Sequence, residues 1–146
     1  MVIFLLNDQV SCMGGAVRMQ NNDEMLKKHK GKKLLGGIAV SPGLVAGMVR
    51  IIHEHEIAQI ESGEVIVADK IWFDDLRNKR NKMENASAFV TDTGGRTSYV
   101  AIFAVENGKP AVTTAVNQNG LKATQVLKNG VGVIVDGTEG AVYQYV

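Results

Sequence analysis

Cysteine, proline and aromatic residues are all scarce in this sequence of 146 residues. Its one cysteine, Cys12, excludes an internal disulfide and a metal cage built from cysteines, which is consistent with a reducing cytoplasm. Two prolines against 16 glycines are typical of short elements joined by tight turns. Aromatic residues make up 5% of the chain, so platforms for stacking on nucleic-acid bases are few.

Neither sign of charge dominates. The 16 Lys and Arg residues nearly balance the 15 Asp and Glu residues, which leaves a net charge of +1. Such a balance creates no broad field for nucleic acid or anionic lipid, and we expect neither as a partner. With 45% hydrophobic and 21% charged residues, the composition is that of a soluble globular protein, and the length suits one domain with its own core but no second catalytic domain.

Long hydrophobic runs are also missing. The apolar run at residues 1–6 ends far short of the roughly 18 residues that a membrane helix needs, and no basic segment precedes it as in a signal peptide. We expect a buried strand or a packing extension there, in a cytoplasmic protein. Residues 22–33 predict a short amphipathic helix with five lysines toward its end, which form a solvated face or, alternatively, a polybasic patch. We therefore assign residues 1–33 to an N-terminal extension and residues 34–146 to the domain.

Glycine turns alternate with β-branched runs along the rest of the chain, and this pattern predicts strands interleaved with helices. Strands are expected within residues 36–52 and over residues 64–68, 86–91, 111–112, 131–135 and 141–145; helices are expected over residues 74–85, after residue 95 and over residues 121–127. The fold class that this order predicts is α/β, with more strand than helix.

One segment carries the residues of a candidate site. The strand that ends at Thr91 runs into Gly94 and Gly95, which can adopt positive φ, and Thr97 and Ser98 then offer hydroxyls to cap a helix. The apolar face expected for that helix consists of Ala101, Ile102 and Val105.

A phosphate-type anion is the ligand that this segment would bind. The first N–H groups of a helix have no partner within the helix and lie at the positive end of its dipole, so an anion beside Ser98 and Tyr99 would be stabilised, with Arg96 adding charge. An ordinary tight turn between a strand and a helix has the same pattern, so the spacing leaves both interpretations open.

The same segment resembles a known family. The residues that carry the resemblance are Gly94, Gly95, Arg96, Thr97, Ser98, Ala101, Ile102, Ala104, Glu106, Gly108, Pro110, Ala111 and Val112. They are similar to the signature of the swivelling phosphohistidine (mobile) domain of phosphoenolpyruvate-utilising enzymes, such as phosphoenolpyruvate synthase and pyruvate phosphate dikinase. Further similarities, in the right order, extend the resemblance from Gly36 to Tyr145. It implies a three-layer β/β/α fold.

The resemblance also implies a function and a departure from it. In the family, this domain carries a phosphoryl group on a histidine between a nucleotide-grasp domain and a barrel that binds phosphoenolpyruvate, and it holds no cofactor of its own. Here that histidine position is Tyr99, whose phenol, with a pKa of about 10, is a weaker nucleophile at pH 7 than an imidazole with a pKa of about 6.5. Val105 stands where the family usually has Arg, Thr114 where it usually has Gly, and the Thr-x-Pro turn expected around residues 70–74 is missing.

The three histidines give no stronger site. His29 falls in the basic leader, and His53 and His55 lie two residues apart, so they fit one face of a strand. Such a pair can ligate zinc or copper, but the sequence identifies no further ligands. Solvated side chains at a strand end are the simpler interpretation, and we expect no metal.

Two functions follow from these residues. The first is a stand-alone mobile domain that has lost its phosphoryl acceptor and serves as a non-catalytic binding or regulatory module. The second is a phosphotransfer component that works with nucleotide-grasp and barrel domains on separate chains and accepts phosphate on Tyr99, Thr97 or Ser98. We favour the first, because no base that would activate a hydroxyl is evident from the sequence.

Overall fold

The computed structural model describes residues 24–53, 60–71 and 80–146, and within these the chain forms seven strands and four short helical segments, three of which are labelled here as helices. The strands are β1 (Lys30–Ser41), β2 (Leu44–Ile51), β3 (Val65–Ala68), β4 (Ala88–Thr91), β5 (Ala111–Val116), β6 (Gly132–Asp136) and β7 (Ala141–Tyr145). The helices are α1 (Arg80–Met83), α2 (Tyr99–Glu106) and α3 (Ala123–Val126). Residues 24–28 are also helical.

The seven strands close into a barrel in the order β1-β5-β4-β3-β2-β6-β7, with β7 paired back to β1. The four strands β2, β3, β4 and β5 are parallel to one another, and every other pairing is antiparallel. Parallel neighbours need crossover connections, and α2 lies in the one from β4 to β5. The α/β class predicted from the sequence is confirmed.

Alternation along the strands divides the buried residues into an interior and an outer core. In β3, Val65 and Val67 point into the barrel, whereas Ile66 and Ala68 belong to a second core shared with α1 and α2. The interior draws on all seven strands, and Ala123 and Leu127 of the α3 segment contribute to it. A third cluster places Leu26 of the helical residues 24–28 against Ala46 and Ile134.

The helix expected over residues 22–33 is wrong beyond residue 28, because β1 begins at Lys30 within the stretch assigned to the extension. Pairing with β7 explains the change, because Lys30 pairs with Tyr145, and a Cβ at Gly31 would stand only 3.0 Å from the carbonyl oxygen of Gln144. Lys30 is not part of a solvated face either. Its Nζ lies 3.0 Å from Asp136 Oδ2 and 4.5 Å from the centre of the Tyr143 ring.

Other sequence predictions are matched to different degrees. Strands β3 and β4 lie within the predicted ranges 64–68 and 86–91, and β7 matches 141–145. The predicted strand at 111–112 continues to Val116. The apolar run at residues 1–6 lies outside the described residues, as does the first half of the helix predicted over 74–85, and α1 lies in the second half. No helix in the described residues is long and apolar enough to cross a bilayer.

Candidate functional site

The candidate site lies where two neighbouring parallel strands end. In the register of β3 and β4, Ala68 is paired with Thr91, so the loops that follow them leave the same edge of the barrel. Thr93 joins these loops, because its N–H and its Oγ1 both donate to the carbonyl oxygen of Asp69, at 3.0 and 2.8 Å. The segment from Thr93 to the start of α2 is thereby fixed to the end of β3.

Three hydroxyls bind three consecutive carbonyl groups of this segment. Thr91 Oγ1 donates to the carbonyl oxygen of Thr93 at 2.7 Å. Thr114 Oγ1 donates to that of Gly94 at 2.7 Å, and Ser98 Oγ donates to that of Gly95 at 2.8 Å. Their carbonyl oxygens are thus occupied from within the domain.

The amide groups of the same turn are left as donors. We call residues 94–98 the donor loop. Among the residues that the structure describes, the N–H groups of Gly94, Gly95, Arg96 and Thr97 have no hydrogen-bond acceptor, whereas that of Ser98 donates to Gly95. Occupied carbonyls beside unoccupied amides are the arrangement of an anion-binding turn. The amides without acceptors thus lie before the N-cap of α2, and the binding of an anion at the loop stays a prediction.

Ser98 alone provides the N-cap of α2, although the sequence offered Thr97 as well. Ser98 has extended backbone angles, φ −66° and ψ 157°, and its Oγ accepts the N–H of Ala101 at 3.4 Å. Thr97 is exposed and makes no capping bond. The hydroxyl of Ser98 is thus committed to the cap and to Gly95.

We expect Ser98→Ala to lower the free energy of unfolding by about 1–2 kcal/mol, because it removes an N-cap and one hydroxyl bond within the loop. Thr97→Ala is the matched control and should change it by less than about 0.5 kcal/mol. Urea unfolding measures both variants. Equal losses in the two would contradict the assignment of the cap.

The apolar face predicted for α2 is wrong at two of its three positions. Ala101 is buried, but Ile102 and Val105 are 47% and 56% exposed. The residues that pack on the sheet are Val100, Ala101, Phe103 and Ala104. Phe103 meets Phe89 of β4 edge to face, with the ring centres 5.8 Å apart. The spacing of Val100, Phe103 and Ala104 is itself helical and could have indicated this face.

Tyr99 is the first residue of α2 and is 54% exposed. Beside it lies an open cavity of about 330 Å³ between α2 and the end of β3. The cavity is lined by Lys70, Ile71, Thr93, Gly94, Ser98, Tyr99 and Val100. Sequence reasoning missed Lys70, although its position directly after β3 was a usable signal.

The carboxylate nearest in sequence to the loop already has partners. Asp92 is 6% exposed and accepts the N–H of Thr124 on Oδ1 at 3.0 Å and the hydroxyl of Thr124 on Oδ2. These bonds attach α3 to the end of β4. Asp92 is thus a structural residue. At the other end of α2, burial lowers the pKa of Lys109 and the charge of Glu84 partly offsets that effect.

The histidines lie elsewhere. His29 stacks on Tyr145 with the ring centres 4.8 Å apart, and its Nδ1 donates to the carbonyl oxygen of Val146 at 2.6 Å. His53 is exposed, and His55 lies outside the described residues. Within the part of the chain that is described, no three His, Cys, Asp or Glu side chains come together as metal ligands.

Comparison with known proteins gives the family. The family model described as PEP-utilising enzyme, mobile domain, matches residues 60–140, which include the donor loop and α2. The chain belongs to this family. It is 39% identical over 129 residues to a probable phosphoenolpyruvate synthase of Archaeoglobus fulgidus, covering 87% of this chain and 16% of that protein. The Pyrococcus furiosus phosphoenolpyruvate synthase is 38% identical over 123 residues, which cover 84% of this chain and 14% of that enzyme.

The mobile-domain chain thus spans less than a fifth of the length of these curated relatives. Its fold also occurs outside them. The holo-form of Thermococcus kodakaraensis aconitase X superposes with a TM-score of 0.57 at 19% sequence identity, covering 78% of this chain and 98% of that chain. At this identity the likeness concerns the fold alone.

Proposed function

We propose that this mobile domain is a non-catalytic binding or regulatory module that recognises a phosphate-type anion at the donor loop. The observation that carries the proposal is the loop itself, in which four successive amides lack acceptors while three hydroxyls hold the carbonyls beside them. Backbone donors do not depend on which side chain stands at position 99. The loop therefore keeps its affinity for an anion when the phosphoryl acceptor is lost.

The loss of the acceptor is the second part of the proposal. We take Tyr99 to stand at the position of the family's phosphohistidine, and a phenol is mostly protonated at pH 7. Transfer through it requires a base, and the carboxylate of Asp92 is already bound to Thr124. A phosphotyrosine is also a poorer phosphoryl donor than a phosphohistidine. The domain would therefore bind a phosphate-type anion rather than carry a phosphoryl group.

We infer the partners from the relatives. Because phosphoenolpyruvate synthases are several times longer than this chain, the surfaces that would receive the domain are nucleotide-grasp and barrel domains of that type. We place this association in the cytoplasm, and it requires no cofactor within the domain. The exposed residues Arg96 of the donor loop and Tyr99 of α2 would face the partner.

Titration with inorganic phosphate, followed by backbone amide NMR, tests the proposal. We expect the largest shifts at residues 94–99 and a dissociation constant in the millimolar range, because an exposed helix terminus contributes about 0.3–1 kcal/mol per charge and a single arginine adds little in water. Added salt should weaken binding further.

Two variants make the titration specific. Arg96→Ala should weaken phosphate binding about 2- to 5-fold, and Lys32→Ala, which removes one exposed cation from β1, should leave it unchanged. Shifts that gather around residues 27–33, or that appear nowhere, would contradict the proposal. The first outcome would favour the polybasic patch instead.

Phosphotransfer is a second candidate, because two exposed hydroxyls flank the donors. Thr97 in the donor loop and Tyr99 at the start of α2 are both exposed and lie next to amides that suit a phosphoryl group. Ser98 is a weaker candidate, since its hydroxyl is engaged by Gly95 and Ala101. Intact mass separates this function from the first.

A further inference from the structure

Thr114 combines an unfavourable backbone with a bond to the candidate site. Its φ is +53°, and it is the one non-glycine residue with positive φ among the residues that the structure describes. A β-branched side chain disfavours this region, so such a conformation persists only when its surroundings impose it. The family resemblance expects glycine here, which would adopt the same φ without strain.

An irregularity in the pairing of β5 with β1 imposes that conformation. Ile38 pairs with Thr113 and Gly36 pairs with Val116, so two steps along β1 correspond to three along β5. An extra residue in one strand is a bulge, and a bulge turns a side chain to the other face. Val112 and Ala115 both point into the barrel, and Thr114 between them is exposed.

The turned side chain reaches the donor loop. Thr114 Oγ1 donates to the carbonyl oxygen of Gly94 at 2.7 Å. Gly94 lies close over this corner of β5, since a Cβ built on it would stand 3.7 Å from Thr113 Cβ and 3.3 Å from Ser98 Oγ. The bulge thus brings a hydroxyl to the carbonyl of Gly94, which lies between the carbonyl of Thr93 that Thr91 binds and the carbonyl of Gly95 that Ser98 binds.

Because the peptide group is planar, the bond from Thr114 to the Gly94 carbonyl also fixes the direction of the Gly95 N–H. The carbonyl of Gly94 and the N–H of Gly95 belong to one rigid trans peptide and point in opposite directions. A hydroxyl that holds the carbonyl therefore sets the direction of the N–H. By the same geometry, Thr91 sets the N–H of Gly94 and Ser98 sets that of Arg96.

We propose that Thr114 is a positioning residue for anion binding: its hydroxyl holds the Gly94–Gly95 peptide so that the Gly95 N–H faces outward, and its strained backbone is the cost of that placement. The proposal rests on the donor loop as the site of the proposed function. It assigns a role to a residue in which this chain departs from the family pattern.

Two variants separate the effect of the Thr114 hydroxyl from the effect of its strained backbone. Thr114→Ser keeps the hydroxyl, whereas Thr114→Gly removes it and relieves the backbone. We expect Thr114→Gly to bind inorganic phosphate about 3- to 10-fold more weakly, the range for one net hydrogen bond, and to shift the Gly95 amide resonance. Its melting temperature should stay within about 4 °C of the wild type, because relief of strain offsets the lost bond and the added freedom of the unfolded chain. Thr114→Ser should bind within about 2-fold of the wild type.

A residue with only a structural role would not give this separation of binding from stability. The proposal would be overturned if Thr114→Gly kept both the phosphate affinity and the Gly95 amide resonance of the wild type. It would also be overturned if Thr114→Ser lost as much phosphate affinity as Thr114→Gly. If the wild type binds no phosphate, the proposed function fails by itself. The chemical shift and the hydrogen exchange of the Gly95 amide, measured without ligand, then test the role of Thr114. A change of either quantity in Thr114→Gly that is absent in Thr114→Ser supports the positioning role. No change in Thr114→Gly refutes it.

Discussion

The Tyr99→His variant is expected to accept one phosphoryl group from the remaining domains of a related phosphoenolpyruvate synthase, whereas the starting protein accepts none. Position 99 opens α2 and is half exposed, so an imidazole there meets both solvent and the amides of the donor loop. An imidazole is unprotonated and nucleophilic near neutral pH, and its N-phosphoryl bond stays reactive. Intact mass spectrometry measures the gain, and acid lability of the product identifies phosphohistidine.

A second exposed position on the same helix is the control. Ile102→His places an imidazole one turn along α2, at a residue that is 47% exposed, and it should not be phosphorylated. Equal labelling of both variants would show unspecific transfer. No labelling of Tyr99→His would contradict the prediction. The added substitution Val105→Arg would then test another departure of α2 from the family pattern.

Phe89→Ala is expected to lower the free energy of unfolding by about 3–5 kcal/mol, the usual cost of removing a fully buried aromatic ring. Phe89 is 0% exposed and meets Phe103 at an interplanar angle of 81°, so it joins β4 to the underside of α2. Because α2 carries the donor loop at its start, amide hydrogen exchange in the loop should also accelerate.

Urea unfolding measures the loss, with Val105→Ala as its control. Val105 lies on the same helix but is 56% exposed, and its truncation should change the free energy of unfolding by less than about 0.5 kcal/mol. A loss below about 1.5 kcal/mol in Phe89→Ala would show that the helix does not depend on this ring.

The donor loop was the most predictable part of the molecule, because its signals are local. Two glycines, a capping serine and a buried strand before them indicate a turn into a helix without knowledge of the rest of the chain. Gly94 does adopt positive φ, at +115°, and Ser98 does cap α2. The α/β class followed from the alternation of strand and helix patterns along the chain, and it is confirmed.

Other features depend on contacts between distant residues and were missed for that reason. Lys30 lies in a strand because it pairs with Tyr145, more than a hundred positions away, so the local pattern of lysines favoured a helix. The role of Thr114 depends on a bulge against β1 that no spacing within β5 reveals. The prediction of the buried face of α2 was wrong because nearly all residues of this helix are apolar, so the sequence pattern does not distinguish a buried face from an exposed one.

Intact mass of the unmodified protein tests the central claim most directly. The chain would be incubated with phosphoenolpyruvate, or with ATP and magnesium, together with the remaining domains of a related synthase under conditions in which Tyr99→His is labelled. We predict no added phosphoryl group, since position 99 is a tyrosine and the Ser98 hydroxyl is engaged. A gain of one phosphoryl group that Tyr99→Phe or Thr97→Ala abolishes would contradict the account and establish the domain as a phosphoryl carrier.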